Sequence, residues 1–201
     1  MASNSDAYIR LRDDILMEKY SDGDHLSEVA LANEYDVSRL HIKAALQQLE
    51  HEHLVDHYPQ RGYFVKGFSD DDITEINMIR KTLTWMAVQP VIDTINEEQL
   101  EELRRFSKRI EAFVQSGLIK DTYDEVLAFY QYLYSLTPYK RVSNILNTYN
   151  GYILYIIQHS TPTKADNVKG AKYISSLVSA IESRDHELIK EIIDKQDDYK
   201  A

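Results

Sequence analysis

Residues 27–67 read SEVALANEYDVSRLHIKAALQQLEHEHLVDHYPQRGYFVKG, and within this stretch a helical period gives way to a strand period. Ser27 is a good N-cap residue, and Ala30, Leu31 and Ala32 follow it, which predicts a helix that stops near Asp36. A three-residue step leads to Ser38, a second N-cap. From there a third helix is expected to about Glu52. Its apolar residues Ile42, Ala45, Leu46 and Leu49 fall at i, i+3, i+4 and i+7, one face of a helix. That spacing turns Arg39, Leu40, Lys43 and Gln47 outward. Between 54 and 66 the period changes. Val55, His57 and Pro59, then Arg61-Gly62-Tyr63-Phe64-Val65, predict two short strands about a tight turn, and Gly67 ends the unit.

Upstream, Tyr8, Ile9, Leu11, Ile15 and Leu16 lie at near-helical spacing, so residues 7–19 are expected to be helical; Ser21-Asp22-Gly23-Asp24 then forms a turn. Downstream, Ser69 is a good N-cap with Asp72 as its capping-box partner. No convincing strand follows. Helices are predicted at about 70–90, 97–116, 121–136, 139–160, 167–184 and 186–198. Breaks are expected at Gln89-Pro90, Gly117, Thr137-Pro138, Ser160-Thr161-Pro162 and Arg184-Asp185. Pro90 is compatible with a stop or a kink, because Val91, Ile92 and Ile95 continue the apolar pattern. The expected fold is mainly α with a small β wing: an N-terminal winged helix-turn-helix over 1–67, and a C-terminal all-α helical bundle over 68–201.

The whole composition fits such a chain. Its 201 residues are 43% hydrophobic and 28% charged, enough for two modest domains. No cysteine is present, so disulfides, thiolate metal sites and cysteine nucleophiles are excluded. No apolar run approaches the roughly 18–20 residues of a membrane span, and Met1-Ala2-Ser3-Asn4-Ser5-Asp6 lacks a signal-peptide pattern. A soluble, cytoplasmic protein with no membrane partner is expected. The formal net charge of −10 argues against a nucleic-acid partner when taken alone. Over Met1–Gly67 there are seven Lys/Arg against twelve Asp/Glu. DNA binding by this part therefore requires a local basic face within an acidic envelope.

Helix, short turn, helix and hairpin, in that order, suit such a face. In a helix-turn-helix the second helix lays its N-terminal residues into the major groove. Arg39 and Lys43 lie one turn apart, placed for phosphates or guanine edges. Ser38 and His41 offer hydrogen bonds at the helix start, and Leu40 offers contact to a thymine methyl. At the hairpin tip, Arg61 beside Gly62 joins a charge to a backbone that permits close approach. The competing reading is a winged helix used for protein contacts, with Arg39 and Lys43 as solvated charges. His51, His53 and His57 suggest a metal or pH sensor, but His51 and His53 are expected on different sides of a helix and read as ordinary surface residues.

Asp22-Gly23-Asp24-His25-Leu26-Ser27-Glu28, Leu31-Ala32, Val37-Ser38-Arg39, Ala45-Leu46, Leu49-Glu50 and Arg61-Gly62-Tyr63-Phe64-Val65 together resemble the DNA-binding domain of GntR-type transcription regulators. The resemblance implies a homodimer on palindromic operator DNA, with Ser38, Arg39, His41, Lys43, Arg61 and Gly62 at the operator. Two departures stand out. Leu40-His41 replaces the family's usual Thr-Pro, and Lys43-Ala44 replaces Arg-Glu. Lysine brings a point charge where arginine grips a guanine with two donors, so operator sequence does not transfer.

Residues 67–81 resemble the entry to the helical effector domain of the FadR-like branch, and about six helices match its shorter, VanR-like type. Many members of that branch hold a divalent metal through an Asp, a His beside a Phe and two later histidines, and the metal receives a small carboxylate. In this chain those positions fall at Val126, Tyr130 (beside Phe129), near Ile174 and near Gln196, none a good ligand. His159 and His186 are not at ligand-pair spacing. No metal and no cofactor is therefore expected. What remains is aromatic: Tyr123, Tyr130, Tyr132, Tyr134, Tyr139, Tyr149, Tyr152 and Tyr155 crowd three consecutive helices. Their hydroxyls suit an uncharged or aromatic small molecule, while Arg80, matching an arginine common at the start of these domains, is the candidate anion anchor; Arg80, Tyr123, Tyr130 and Tyr152 form the candidate effector-binding set. The competing reading makes the tyrosines core and interface residues with hydroxyls at the rim, and pairs Arg80 with a carboxylate on a neighbouring helix.

These observations point to a DNA-binding repressor whose affinity responds to a small-molecule effector. An alternative keeps DNA binding and gives the helical domain to dimerisation or protein contacts. An enzyme is disfavoured: no nucleophile–base pair, phosphate loop or paired metal carboxylates can be found, and Glu97-Glu98 with Glu101-Glu102 read as a solvated face.

Overall fold

The computed structural model describes residues 4–17, 19–159 and 163–196, with the backbone alone at 4, 5 and 154–159. Two compact units emerge, Met1–Ser69 and Asp70–Ala201.

In the first unit, α1 (Asn4–Leu16) is followed by β1 (His25–Leu26), α2 (Glu28–Tyr35), α3 (Arg39–His51), β2 (Val55–Tyr58) and β3 (Gly62–Val65). Both expected N-caps are made. Ser27 accepts from the Ala30 amide at 3.4 Å and Ser38 from the His41 amide at 3.2 Å, each satisfying an amide that has no partner inside its helix. Asp36 closes α2 in a left-handed conformation, φ 54°. Ile42, Ala45, Leu46 and Leu49 are buried as their spacing requires, and pack with Leu11 and Ile15 of α1. Ile9 does not join them: it is exposed, and Ala7 takes the inward place.

The sheet is antiparallel in the order β1-β3-β2. The hairpin was expected, whereas β1 was not. Two residues carry no period. They become a strand through pairing of His25 with Phe64 and Leu26 with Tyr63, continued by Gly23 N–H to Val65 O and Val65 N–H to Asp24 O. His53, expected on the far side of a helix from His51, lies past the end of α3 with φ 59°.

The second unit contains α4 (Asp70–Thr94), α5 (Glu97–Ser116), α6 (Ile119–Ser135), α7 (Lys140–His159), α8 (Lys164–Ser183) and α9 (His186–Asp194). The main correction is at Pro90, which neither stops nor divides α4. Proline removes one helical hydrogen bond, that to the Met86 carbonyl, and Met86 lies on the exposed side of α4. The inward residues Ala87, Val88, Val91 and Ile92 run through the proline without interruption.

Elsewhere caps set the boundaries. Asn96 and Gln99 form a reciprocal capping box at 2.9 and 3.0 Å. Gly117 ends α5 at φ 71°. Thr163 with Asp166 starts α8 three residues before the expected position. The core gathers Leu103, Ile110, Phe129, Leu133, Leu146, Leu177, Ile181, Ile189 and Ile193. The expected break at Ser160-Thr161-Pro162 lies outside the described residues, and the last helix, expected to run to 198, ends at Asp194 with Lys195 as its cap. Among the described residues no helix is long and apolar enough to cross a membrane.

Candidate nucleic-acid interface and helical interior

Ser38 and the buried stripe behind it set the start of α3 on the surface of the first unit. With the stripe packed inward, Leu40 is 73% exposed, Lys43 is exposed and His41 is half-buried. The Arg39 side chain, 67% exposed, lies 3.6 Å from the Glu28 carboxylate at the start of α2. Glu28 is thus a member of this face that the sequence did not single out. Only the packing of α2 on α3 brings the two helix starts together.

The acidic surplus is partly consumed away from that face. Lys19 bridges Asp14 and Glu34. Tyr35 donates to Asp14 at 2.6 Å, and burial together with that carboxylate pushes its phenol pKa up. Tyr8 donates to both Glu52 oxygens at 2.7 and 2.8 Å.

At the wing, the Arg61 guanidinium lies over the rings of Tyr58 and Phe64, at 5.7 and 5.4 Å, so the charge is held along an aromatic platform. The turn needs left-handed backbone at Gln60, φ 65°, and at Gly62, φ 91°. Gly62 has a second reason to be glycine. A Cβ there would sit 2.9 Å from His25 Nε2, and that ring packs 5.0 Å from Phe64.

In the second unit, α4 turns Asn77, Arg80 and Thr84 inward, all buried. Arg80, 2% exposed, donates to Gln196 Oε1 at 2.6 Å, across 116 positions of sequence. One turn on, the Thr84 hydroxyl meets the Tyr134 hydroxyl at 2.8 Å, and Tyr130 packs 5.6 Å from the Tyr134 ring. Tyr134 is fully buried, so its hydroxyl lies in the interior and not at the rim.

Of the four expected effector residues, Arg80, Tyr130 and Tyr152 are buried. Tyr123 donates to Asn167 of α8 at 3.4 Å, and Tyr152 packs edge-on against Tyr149 of its own helix at 5.4 Å. Tyr139 is exposed and Tyr132 packs against Phe106. The side chains of Tyr155 and His159 lie outside the described residues.

The donor set does not suit a metal ion. Val126, Tyr130 and Ile174 offer no imidazole or carboxylate, and the Gln196 oxygen is engaged by a guanidinium. Among the described residues no three His, Asp or Glu side chains are placed to share an ion. His186 pairs with Asp93 at 3.0 Å.

Comparison with known proteins adds the following. Residues 4–65 match the model for bacterial regulatory proteins of the gntR family, and residues 75–195 match that for the FCD domain. An uncharacterized HTH-type transcriptional regulator of Bacillus subtilis (strain 168), YdhC, is 26% identical over 167 residues, covering 80% of this chain and 73% of its own length. Two solved structures share the fold. E. coli McbR/YncC superposes with a TM-score of 0.77 at 18% identity, over 97% of this chain and 95% of its own. A putative transcriptional regulator GntR from Rhodococcus sp. RHA1 superposes with 0.74 at 20% identity, over 95% and 91%.

Proposed function

Because the chain belongs to the gntR family of bacterial regulatory proteins, with an FCD domain as its C-terminal part, we propose that it is a homodimeric repressor that binds a palindromic operator and responds to a small molecule. In this reading Ser38, Arg39, Leu40, His41 and Lys43 of α3 enter the major groove, while Arg61 and Gly62 of the wing meet the adjacent backbone or groove. Residues 1–67 serve DNA, and residues 68–201 serve dimerisation and the effector. The protein works in the cytoplasm as a regulator and not as an enzyme.

The observation that carries this is the start of α3, capped by Ser38 and offering Arg39, Leu40 and Lys43 to the surface together. Effector binding among the helices of each FCD domain acts by favouring one placement of the two DNA-binding units over another. Selection of genomic DNA fragments by the purified protein, at low and moderate salt, tests the reading. Recovery of one palindromic site supports it; recovery of none by a folded dimer overturns it.

The residues at the metal positions also favour a second reading. Here DNA binding stays and the helical domain serves only dimerisation or protein contacts. A thermal-shift screen against metals, sugars and carboxylates separates the two, since only the first predicts a response.

A further inference from the structure

We infer that the helical domain takes an uncharged ligand with an amide-like edge, held directly by Asn147 and Asn150 without a metal ion. The inference rests on the effector reading above and specifies its chemistry.

Helix α7 packs against α4 and α6. Among its described residues Leu146, Asn150, Tyr152 and Ile153 are buried, with Leu146, Asn150 and Ile153 at i, i+4 and i+7 and Asn147 at the edge of that face. Asn150 is 6% exposed, yet its Nδ2 has no hydrogen-bond partner; the buried Oδ1 of Asn147 has none either. Buried amide groups are normally paired, because leaving them unpaired forfeits their hydration for nothing in return. Two such groups one helical turn apart, at neighbouring side-chain positions, are a cost that a bound partner relieves.

Their chemistry selects that partner. One group offers a donor and the other an acceptor, and exchanging the N and O of both amides preserves the combination. A carboxylate brings acceptors only, so it satisfies Asn150 and sets oxygen against oxygen at Asn147. An amide edge satisfies both. Helix α6, which packs on α7, carries Tyr130 and Tyr134, whose rings lie 5.6 Å apart.

Benzamide and benzoate form a matched pair of probes, alike in ring and different at this edge. Binding to the full-length protein is followed by saturation-transfer NMR and by thermal shift, with EDTA and with added ZnCl2. Benzamide is expected to bind equally in both conditions. Asn150→Leu and Asn147→Leu, which keep side-chain volume and remove the amide, are each expected to weaken it about tenfold, the loss of one hydrogen bond. Circular dichroism confirms that the variants fold. Benzamide that fails to bind, or binds both variants as well as the parent, overturns the assignment. Benzoate binding in its place leaves the effector reading standing and overturns only the ligand class. Silence from both probes overturns the assignment of these asparagines as ligand contacts.

Discussion

Replacing Lys43 with alanine should change how operator affinity depends on salt, and the size of the change follows from where Lys43 stands. It is exposed on the outward side of α3 and stands in no ion pair among the described residues, so its full charge is available to one phosphate. Each phosphate neutralised contributes roughly 0.9 to the slope of log K against log salt. The proposed dimer would present the residue twice, so Lys43→Ala should flatten the slope by about 1.8. Between about 50 and 200 mM salt, the parent should then lose roughly twelvefold more affinity than the variant, since fourfold raised to the power 1.8 is about twelve.

Arg39 should behave differently. Part of its charge is balanced by Glu28 at 3.6 Å, so Arg39→Ala should flatten the slope less. If Arg39 reads a guanine, the variant should nonetheless lose about 1–3 kcal/mol of discrimination at that base pair. The assay is fluorescence anisotropy on the selected operator at five or more salt concentrations. A Lys43→Ala line parallel to the parent, within about 0.3 of its slope, refutes the placement of α3 in the groove.

Other consequences follow from single contacts. Gly62→Ala forces a Cβ onto a residue at φ 91°, 2.9 Å from His25 Nε2; it should cost about 1–2 kcal/mol in urea unfolding of the first unit. Ser38→Ala removes the cap on the His41 amide and should cost about 1 kcal/mol, while Ser38→Asp should recover most of it. A Ser38→Ala variant as stable as the parent refutes the cap. Burial, and then the hydrogen bond to Glu52, push the Tyr8 phenol up to about 12. Its folded pKa lies above the ordinary value near 10, so its contribution to stability is complete below about pH 10 and disappears as pH rises through 12. In urea unfolding the parent should therefore lose stability between about pH 10 and 12, and Tyr8→Phe, which has no phenol to ionise, should lose less over that range; parallel curves refute the contact.

The pattern of residues carried the fold class and the order of elements. The stripe Ile42, Ala45, Leu46 and Leu49, the caps Ser27 and Ser38, and the stops at Gly117 and Arg184 act within four or five positions of chain. A helix or its end is decided over that range, so these were legible. So was the outward set Arg39, Leu40 and Lys43, because burying one face of α3 exposes the other.

What needed the tertiary structure involves partners that sequence distance conceals. His25–Leu26 is a strand only because β3 lies beside it. The constraint on Gly62 comes from His25, 37 positions away, and Glu28 meets Arg39 through the packing of α2 on α3. Pro90 stays within a helix because its freed carbonyl faces outward while the inward residues remain packed. Arg80 finds Gln196, Thr84 finds Tyr134, and Asn150 Nδ2 is left without a hydrogen-bond partner. Periodicity and caps are local, short-range preferences, whereas the pairing of buried polar groups is set by which faces the bundle brings together. The sequence by itself therefore determined what kind of protein this is, and the packing decided which polar side chains its interior brings together.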